Sequence, residues 1–275
     1  CLWADDLDIV ALGTVADLVP LVGENRKIVQ MGLARMSENP CPGIQALIEV
    51  SGLTGKKINT GTVGFQLAPR LNAAGRLETA GRGVNLLLSE DTGETVSIAG
   101  KLNALNTERR DLEQEILTEA EGMLADVTPD VPAIVVAGED WNSGVIGIVA
   151  SRLIEQYYRP SIVLTRQGDV YKGSCRSIPG LHMYDALSAC RDTLIQFGGH
   201  AMAAGLSVAC SRLDDFCAAF SNFVQTHLVP EDFTPKISIE RIVSPTSWSL
   251  ETVEELSLLE PYGIGNPRTI FGVRG

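Results

Sequence analysis

Apolar and polar positions along the 275-residue chain follow two different periods. Between residues 93 and 127, Ile98, Leu102, Leu105, Leu112, Ile116, Ala120 and Met123 recur at spacings of three, four or seven, with charge on the opposite face. That spacing predicts one long amphipathic helix connecting two lobes. Residues 25–36 and 43–50 carry the same helical spacing, interrupted by Pro40, Pro42 and Gly43. Further along, the short apolar runs A-I-V-V-A-G (133–138), S-I-V-L-T (161–165) and V-Y-K-G-S-C-R-S-I (170–178) read as strands, the last two flanking the turn Gln167-Gly168-Asp169. The segment G-V-I-G-I-V-A-S-R-L-I-E (144–155) reads as a helix with Asn142 or Ser143 as N-cap, and another helix covers about 182–190. Together these elements predict an α/β domain with a mixed sheet. Upstream, L-D-I-V-A-L (7–12) reads as a buried strand, which puts Asp17 in the turn or first helical turn after it. Residues 62–82, rich in Gly, Asn and Arg and poorly periodic, read as a working loop region. Residues 228–236, punctuated by Pro230 and Pro235, read as a linker. K-I-S-I-E-R-I-V then starts a strand, an acidic helix follows near 250–259, and P-Y-G-I-G-N-P turns into a further strand.

Charge changes the picture in one respect. The chain carries a formal charge of −12, which lowers the expectation of a nucleic-acid binder. The distribution is uneven, however: Lys56 to Arg82 holds five basic residues and one acidic, whereas Glu108 to Asp126 holds seven acidic and two basic. A protein that grips a few phosphates in a cleft can be acidic elsewhere. Six cysteines without a C-x-x-C pair, beside three histidines, give no zinc cluster and fit reduced thiols in a cytoplasmic protein. No apolar run approaches the roughly 18 to 20 residues of a membrane span. The opening C-L-W-A-D-D-L-D lacks a signal-peptide pattern and a starting Met, and T-I-F-G-V-R-G stops within a strand, so the chain is expected to be cut from a longer one.

Four blocks could carry chemistry. Asp17 is a lone carboxylate in A-L-G-T-V-A-D-L-V-P-L (11–21), read either as a helix N-cap or as a metal ligand near a strand end. In P-R-L-N-A-A-G-R-L (69–77), Arg70 and Arg76 suit phosphate and Asn72 a substrate oxygen, the alternative being a solvated polar turn. In K-G-S-C-R-S-I-P-G (172–180), Ser174 and Arg176 alternate along a strand and point to one face, a grip for a terminal phosphate or a simple water-facing pattern. In F-G-G-H-A-M-A-A-G (197–205), Gly198 and Gly199 allow close approach of a ligand beside His200, or form a tight turn.

The order of these blocks, together with ENRKIVQMGL, GVIGIVASRL and LEPYGIGNP, resembles the DHH phosphoesterase superfamily, and specifically its single-strand-specific exonuclease branch. The resemblance runs from end to end. It implies an α/β protein in which residues 1–92 form the C-terminal part of a DHH domain, 93–127 the connecting helix, 128–228 a mixed-sheet DHHA1 substrate-binding domain and 229–275 the truncated start of an OB-fold domain. It implies 5′-to-3′ hydrolysis of single-stranded DNA with Mn²⁺ or Mg²⁺ in a two-metal site, serving DNA repair and recombination. Asp17 matches the metal-ligating aspartate of the family, and Ser174 and Arg176 match the pair that holds the 5′ phosphate. Asn72, Arg76, Gly198, Gly199 and His200 fall in nucleic-acid-binding motifs at the cleft. The implied partners are single-stranded DNA with a 5′ end, a single-strand-binding protein and a helicase, with no membrane. Two departures stand out. The Asp-x-Asp and Asp-His-His motifs are absent and are expected upstream of Cys1, so the chain alone is expected to be inactive. Asn142 stands where relatives usually carry His, which puts the role of that position in doubt. Two alternatives remain: a DHH phosphodiesterase acting on oligonucleotides or cyclic dinucleotides, and a non-catalytic DNA-binding relative.

Overall fold

The computed structural model describes residues 5–125 and 131–274. The chain divides into two compact units, residues 1–108 with 237–275, and residues 109–236.

The first unit is helical. It contains α1 (Leu7–Ala16), α2 (Gly23–Glu38), α3 (Pro42–Val50), α4 (Thr60–Thr62), a π-helical turn at Val63–Leu67, α5 (Ala68–Leu77), α6 (Gly81–Leu88) and the beginning of α7 (Thr92–Met123). The expected strand at 7–12 is therefore corrected to a helix. Its buried residues, Leu7, Asp8, Ala11, Leu12 and Val15, fall at helical spacing. A short, nearly continuous apolar run carries no period of its own, so packing partners decide its form. Here the partner is α2, whose Gly32 lies so close that a Cβ would collide with the Leu7 carbonyl and Ala11. The expected loop at 62–82 is also mostly helix. Leu67, Ala68, Ala73 and Ala74 are buried, and this apolar edge compensates for the poor helix propensity of its Gly and Asn residues. A core of Val29, Ile44, Leu47, Leu67, Leu86 and Leu102 gathers these helices.

Residues 237–275 pack with this unit. Leu21 N–H donates to the Ile264 carbonyl at 2.6 Å and Thr60 Oγ1 to the Tyr262 carbonyl at 2.7 Å. Arg26 Nη2 donates to the Leu259 carbonyl at 2.8 Å. The strand expected from residue 236 shrinks to β6 (Arg241–Ile242), paired in parallel with β7 (Phe271–Gly272), and α11 (Leu250–Leu256) lies between them in sequence.

The second unit is an α/β layer structure. It holds the rest of α7, then β1 (Ile134–Glu139), α8 (Ile146–Tyr157), β2 (Ser161–Gln167), β3 (Val170–Arg176), α9 (Met183–Ala189), β4 (Gln196–Gly199), β5 (Ala203–Ala209) and α10 (Leu213–His227). The sheet order is β1-β2-β3-β5-β4, with β1–β2 parallel and the other pairs antiparallel. Ile162, Leu164, Cys175, Leu206 and Val208 pack with Phe216 and Phe220 of α10 on one sheet face. The opposite face carries Val136, Val163, Ser174 and Arg176 and receives α8. The expected connector 93–127 corresponds to α7, and residues 126–127 lie outside the described residues, as do 128–130 at the start of the expected substrate-binding domain. Near the C-terminus of α7, Met123 is 49% exposed and Leu124 takes the inward position instead.

Candidate nucleic-acid interface

Strand β3 places Ser174 and Arg176 two residues apart, so both project from the α8 face of the sheet. Arg176 Nη1 donates to Ser174 Oγ at 3.1 Å and to the Cys175 carbonyl at 2.9 Å, which fixes the guanidinium plane beside the hydroxyl. Both side chains are half-buried. Cys175 between them points the other way into the core, where burial pushes its thiol up to about 12 against the opposing pull of Arg176. It is therefore a neutral packing group and not a nucleophile.

Two further elements close on this pair. Opposite Ser174, across β5 and then β4, stand Gly205 and Gly198, in register. Both glycines are exposed, so bare backbone adjoins the hydroxyl in the plane of the sheet. On the other side lies the first turn of α8. A Cβ at Gly147 would meet Ser174 Oγ at 2.9 Å and Arg176 Nη2 at 3.0 Å. The turn before α8 is held by Asn142, whose Oδ1 accepts from Gly144 N–H at 2.8 Å and whose carbonyl accepts from Val145 N–H at 2.9 Å. The helix begins at Ile146 with Val145 at the N-cap, so the expected cap at Asn142 or Ser143 is corrected: Asn142 builds the preceding turn instead. Trp141 anchors that turn, donating Nε1–H to Glu119 Oε2 at 2.8 Å and accepting from Thr165 Oγ1 at its carbonyl at 2.7 Å. Glu113 on α7 bridges Arg109 at 2.7 Å and Arg152 of α8 at 3.0 Å, locking the helix against its neighbour.

Gly199 follows Gly198 in β4 with φ +152°, and a Cβ there would collide with the Ala203 carbonyl and Ala204. His200 is exposed, with its backbone N–H donating to the Ala203 carbonyl at 2.8 Å. Thus Ser174, Arg176 and Gly198 share one face of the second unit, and Gly199 and His200 continue its edge. Asn72 and Arg76 lie in the first unit, four residues apart on α5 and exposed on one flank. Arg70 is engaged elsewhere: its Nε donates to Asn103 Oδ1 of α7 at 2.9 Å and its Nη1 to the Gln66 carbonyl at 2.5 Å.

Asp17 is neither at a strand tip nor at a helix N-terminus. It caps the C-terminus of α1, donating its N–H to the Gly13 carbonyl at 3.0 Å, and its side chain is exposed. The carboxylate that α1 does bury is Asp8. Its Oδ2 accepts from Cys41 N–H at 2.7 Å, its Oδ1 from Ile9 N–H at 3.0 Å, and Arg35 Nε lies 3.5 Å from Oδ1. Asp8 therefore joins α1, α2 and the start of α3, a structural role that its place inside L-D-I-V-A-L could have signalled. Among the described residues, no group of three or more His, Cys, Asp or Glu side chains could hold a metal ion. Asp17 by itself does not make a two-metal centre.

Residues 130–226, within the second unit, match the DHHA1 domain family. Over nearly its whole length the chain is homologous to RecJ exonucleases. It is 42% identical over 264 residues to the single-stranded-DNA-specific exonuclease RecJ of Bacillus subtilis, covering 95% of this chain and 34% of that protein. With RecJ of Escherichia coli it shares 40% identity over 279 residues, 98% of this chain and 48% of the relative. Crystalline RecJ of Thermus thermophilus in complex with Mg²⁺ superposes with a TM-score of 0.88 at 34% identity, covering 98% of this chain and 41% of that one. The same protein has been crystallised with Mn²⁺ and superposes equally well. The chain thus spans between a third and a half of the length of these curated relatives.

Proposed function

We propose that this chain is the substrate-anchoring part of a single-stranded-DNA-specific 5′-to-3′ exonuclease. The single observation that supports this reading most is the Ser174–Arg176 pair, hydrogen-bonded to each other and half-buried on the α8 side of β3. A planar guanidinium beside a hydroxyl matches the oxygens of a terminal phosphate through charge-assisted hydrogen bonds. The exposed backbone of Gly205 and Gly198 leaves room for the adjoining nucleotide to lie against the sheet. Holding the 5′ end in one place fixes which phosphodiester is presented for hydrolysis, a positioning contribution to catalysis. Asn72 and Arg76 on α5 are proposed as separate nucleic-acid contacts of the first unit, and Gly199 and His200 border the anchored end in the second.

Asp17 is proposed as one ligand of the Mn²⁺ or Mg²⁺ ions that the RecJ neighbours hold. Its position supports this on electrostatic grounds. A carboxylate at a helix C-terminus lies at the negative end of the macrodipole, typically unfavourable by about 0.3–1 kcal/mol, and a divalent cation reverses the sign of that interaction. The remaining ligands would come from outside the described residues. Single-stranded DNA is the proposed substrate and partner, with a single-strand-binding protein and a helicase as proposed accessory partners. Among the described residues no helix is long and apolar enough to cross a membrane.

The test is made with this chain in a polypeptide that also supplies the remaining metal ligands. With Mn²⁺ it should release mononucleotides from the 5′ end of a labelled single strand and leave a blunt duplex intact. Asp17→Ala should abolish release while retaining most of the affinity for the strand. Near-normal turnover by that variant would remove Asp17 from the metal site, and digestion from the 3′ end would contradict the assigned polarity.

A further inference from the structure

Helix α8 does more than cover the sheet. Its second residue, Gly147, is buried, and its missing side chain is where Ser174 Oγ and Arg176 Nη2 lie. A Cβ added there would stand 2.9 Å from the hydroxyl oxygen, 3.0 Å from the guanidinium nitrogen and 3.6 Å from Ser174 Cβ. The first two contacts are closer than real Cβ atoms normally tolerate. The backbone of Gly147 is ordinary helix, so nothing in its conformation demands glycine. Among the described residues, the contacts that a side chain here would meet are those of the Ser174–Arg176 pair, and the space the pair occupies is the local reason for glycine.

We propose that Gly147 is a positioning residue for recognition of the 5′ phosphate, an inference that rests on the function proposed above. By bringing the α8 backbone against Ser174 and Arg176, it sets both the hydroxyl and the guanidinium plane. The helix cannot retreat from those two groups, because the turn before it is fixed from behind by Asn142 and Trp141, and α8 is tied to α7 by the Glu113–Arg152 pair. A methyl group at position 147 has one outlet: it displaces the hydroxyl and the guanidinium from their mutual 3.1 Å contact. Selection of a terminal phosphate depends on that alignment. Sequence-independent attraction of the strand does not.

The experiment measures the affinity of the 275-residue chain for a fluorescent oligothymidylate bearing either a 5′-phosphate or a 5′-hydroxyl, by anisotropy at low salt. The wild-type chain should prefer the phosphorylated strand. Gly147→Ala should reduce that preference about tenfold, through the phosphorylated strand, while helical content by circular dichroism is unchanged or slightly raised. In a Ser174→Ala/Arg176→Ala background, where the groups it would displace are gone, Gly147→Ala should leave the ratio where the double variant sets it. That triple variant also keeps the question open if Gly147→Ala alone folds poorly. A ratio within twofold of wild type in Gly147→Ala, an equal loss for both strands, or a further change in the double-variant background would overturn the inference. Arg176→Ala separates the two levels. If it removes the preference and Gly147→Ala does not, only the positioning role fails; if the wild-type chain shows no preference at all, the anchor itself fails.

Discussion

Two carboxylates on one helix illustrate how position decides what a charged side chain does. Asp8 is wholly buried and satisfied by two backbone N–H groups and a guanidinium, whereas Asp17 is exposed at the end of the same helix. Removing a buried carboxylate leaves its donors without acceptors, so Asp8→Ala should cost about 2 kcal/mol, read from the urea midpoint of unfolding. Asp17→Ala should leave that midpoint within about 0.5 kcal/mol, as expected of exposed positions; a larger loss would show Asp17 to be structural. Cysteine titration gives a second residue-scale expectation. Burial pushes the thiols of Cys175 to about 12 and Cys190 to about 11, above the ordinary value of 9.0. Both groups keep their protons in the folded state where the unfolded chain would lose them. Their contribution to stability is complete below pH 9 and falls as pH rises through the window from 9 towards 12. Native protein at about pH 8, below the ordinary thiol value, should leave both thiols unalkylated by iodoacetamide, and rapid labelling of Cys175 would contradict its burial.

At the scale of elements, periodicity was informative where one face is buried and the other wet. The long helix α7 and helix α8 follow from spacing because each has two unlike faces, whereas β2, buried throughout Ser161–Thr165, is legible only as a short apolar run. Residues 7–12 misled because they are apolar almost throughout, and only contact with α2 reveals that they coil. Residues 62–82 misled for the opposite reason: Gly and Asn weaken the helical signal, while Leu67, Ala73 and Ala74 supply the buried edge that restores it. Ser174 and Arg176 were legible as a pair because alternation in a strand is a strict period of two. Gly147 was not, since a glycine inside a helical pattern announces neither chemistry nor contact. Gly199 makes a comparable demand within β4. With φ at +152° and no room for a Cβ, Gly199→Ala should destabilise the second unit by about 2 kcal/mol and raise hydrogen exchange at the β4–β5 pairing. Unchanged protection there would show that the edge strand relaxes around the methyl group.

At the scale of the whole molecule, the chain joins a nearly all-helical unit to an α/β unit through α7, and their candidate residues divide in kind. The second unit carries the proposed phosphate-binding pair, Ser174 and Arg176, and the first carries the candidates Asn72, Arg76 and Asp17. A net charge of −12 does not by itself preclude DNA binding, because a protein that grips a few phosphates can be acidic elsewhere. Hydrolysis needs more than this. With no described cluster able to hold a metal ion, the purified 275-residue chain should bind a single strand yet release no nucleotide in Mn²⁺, and metal-dependent digestion by it would contradict that division of labour. The central claim is that Ser174 and Arg176 hold a 5′ phosphate. A crystal structure of the chain with a short 5′-phosphorylated oligothymidylate tests it most directly. The terminal phosphate should lie within hydrogen-bonding distance of Ser174 Oγ and the Arg176 guanidinium, its nucleotide along Gly205 and Gly198. A well-ordered oligonucleotide whose terminal phosphate sits away from that pair would contradict it.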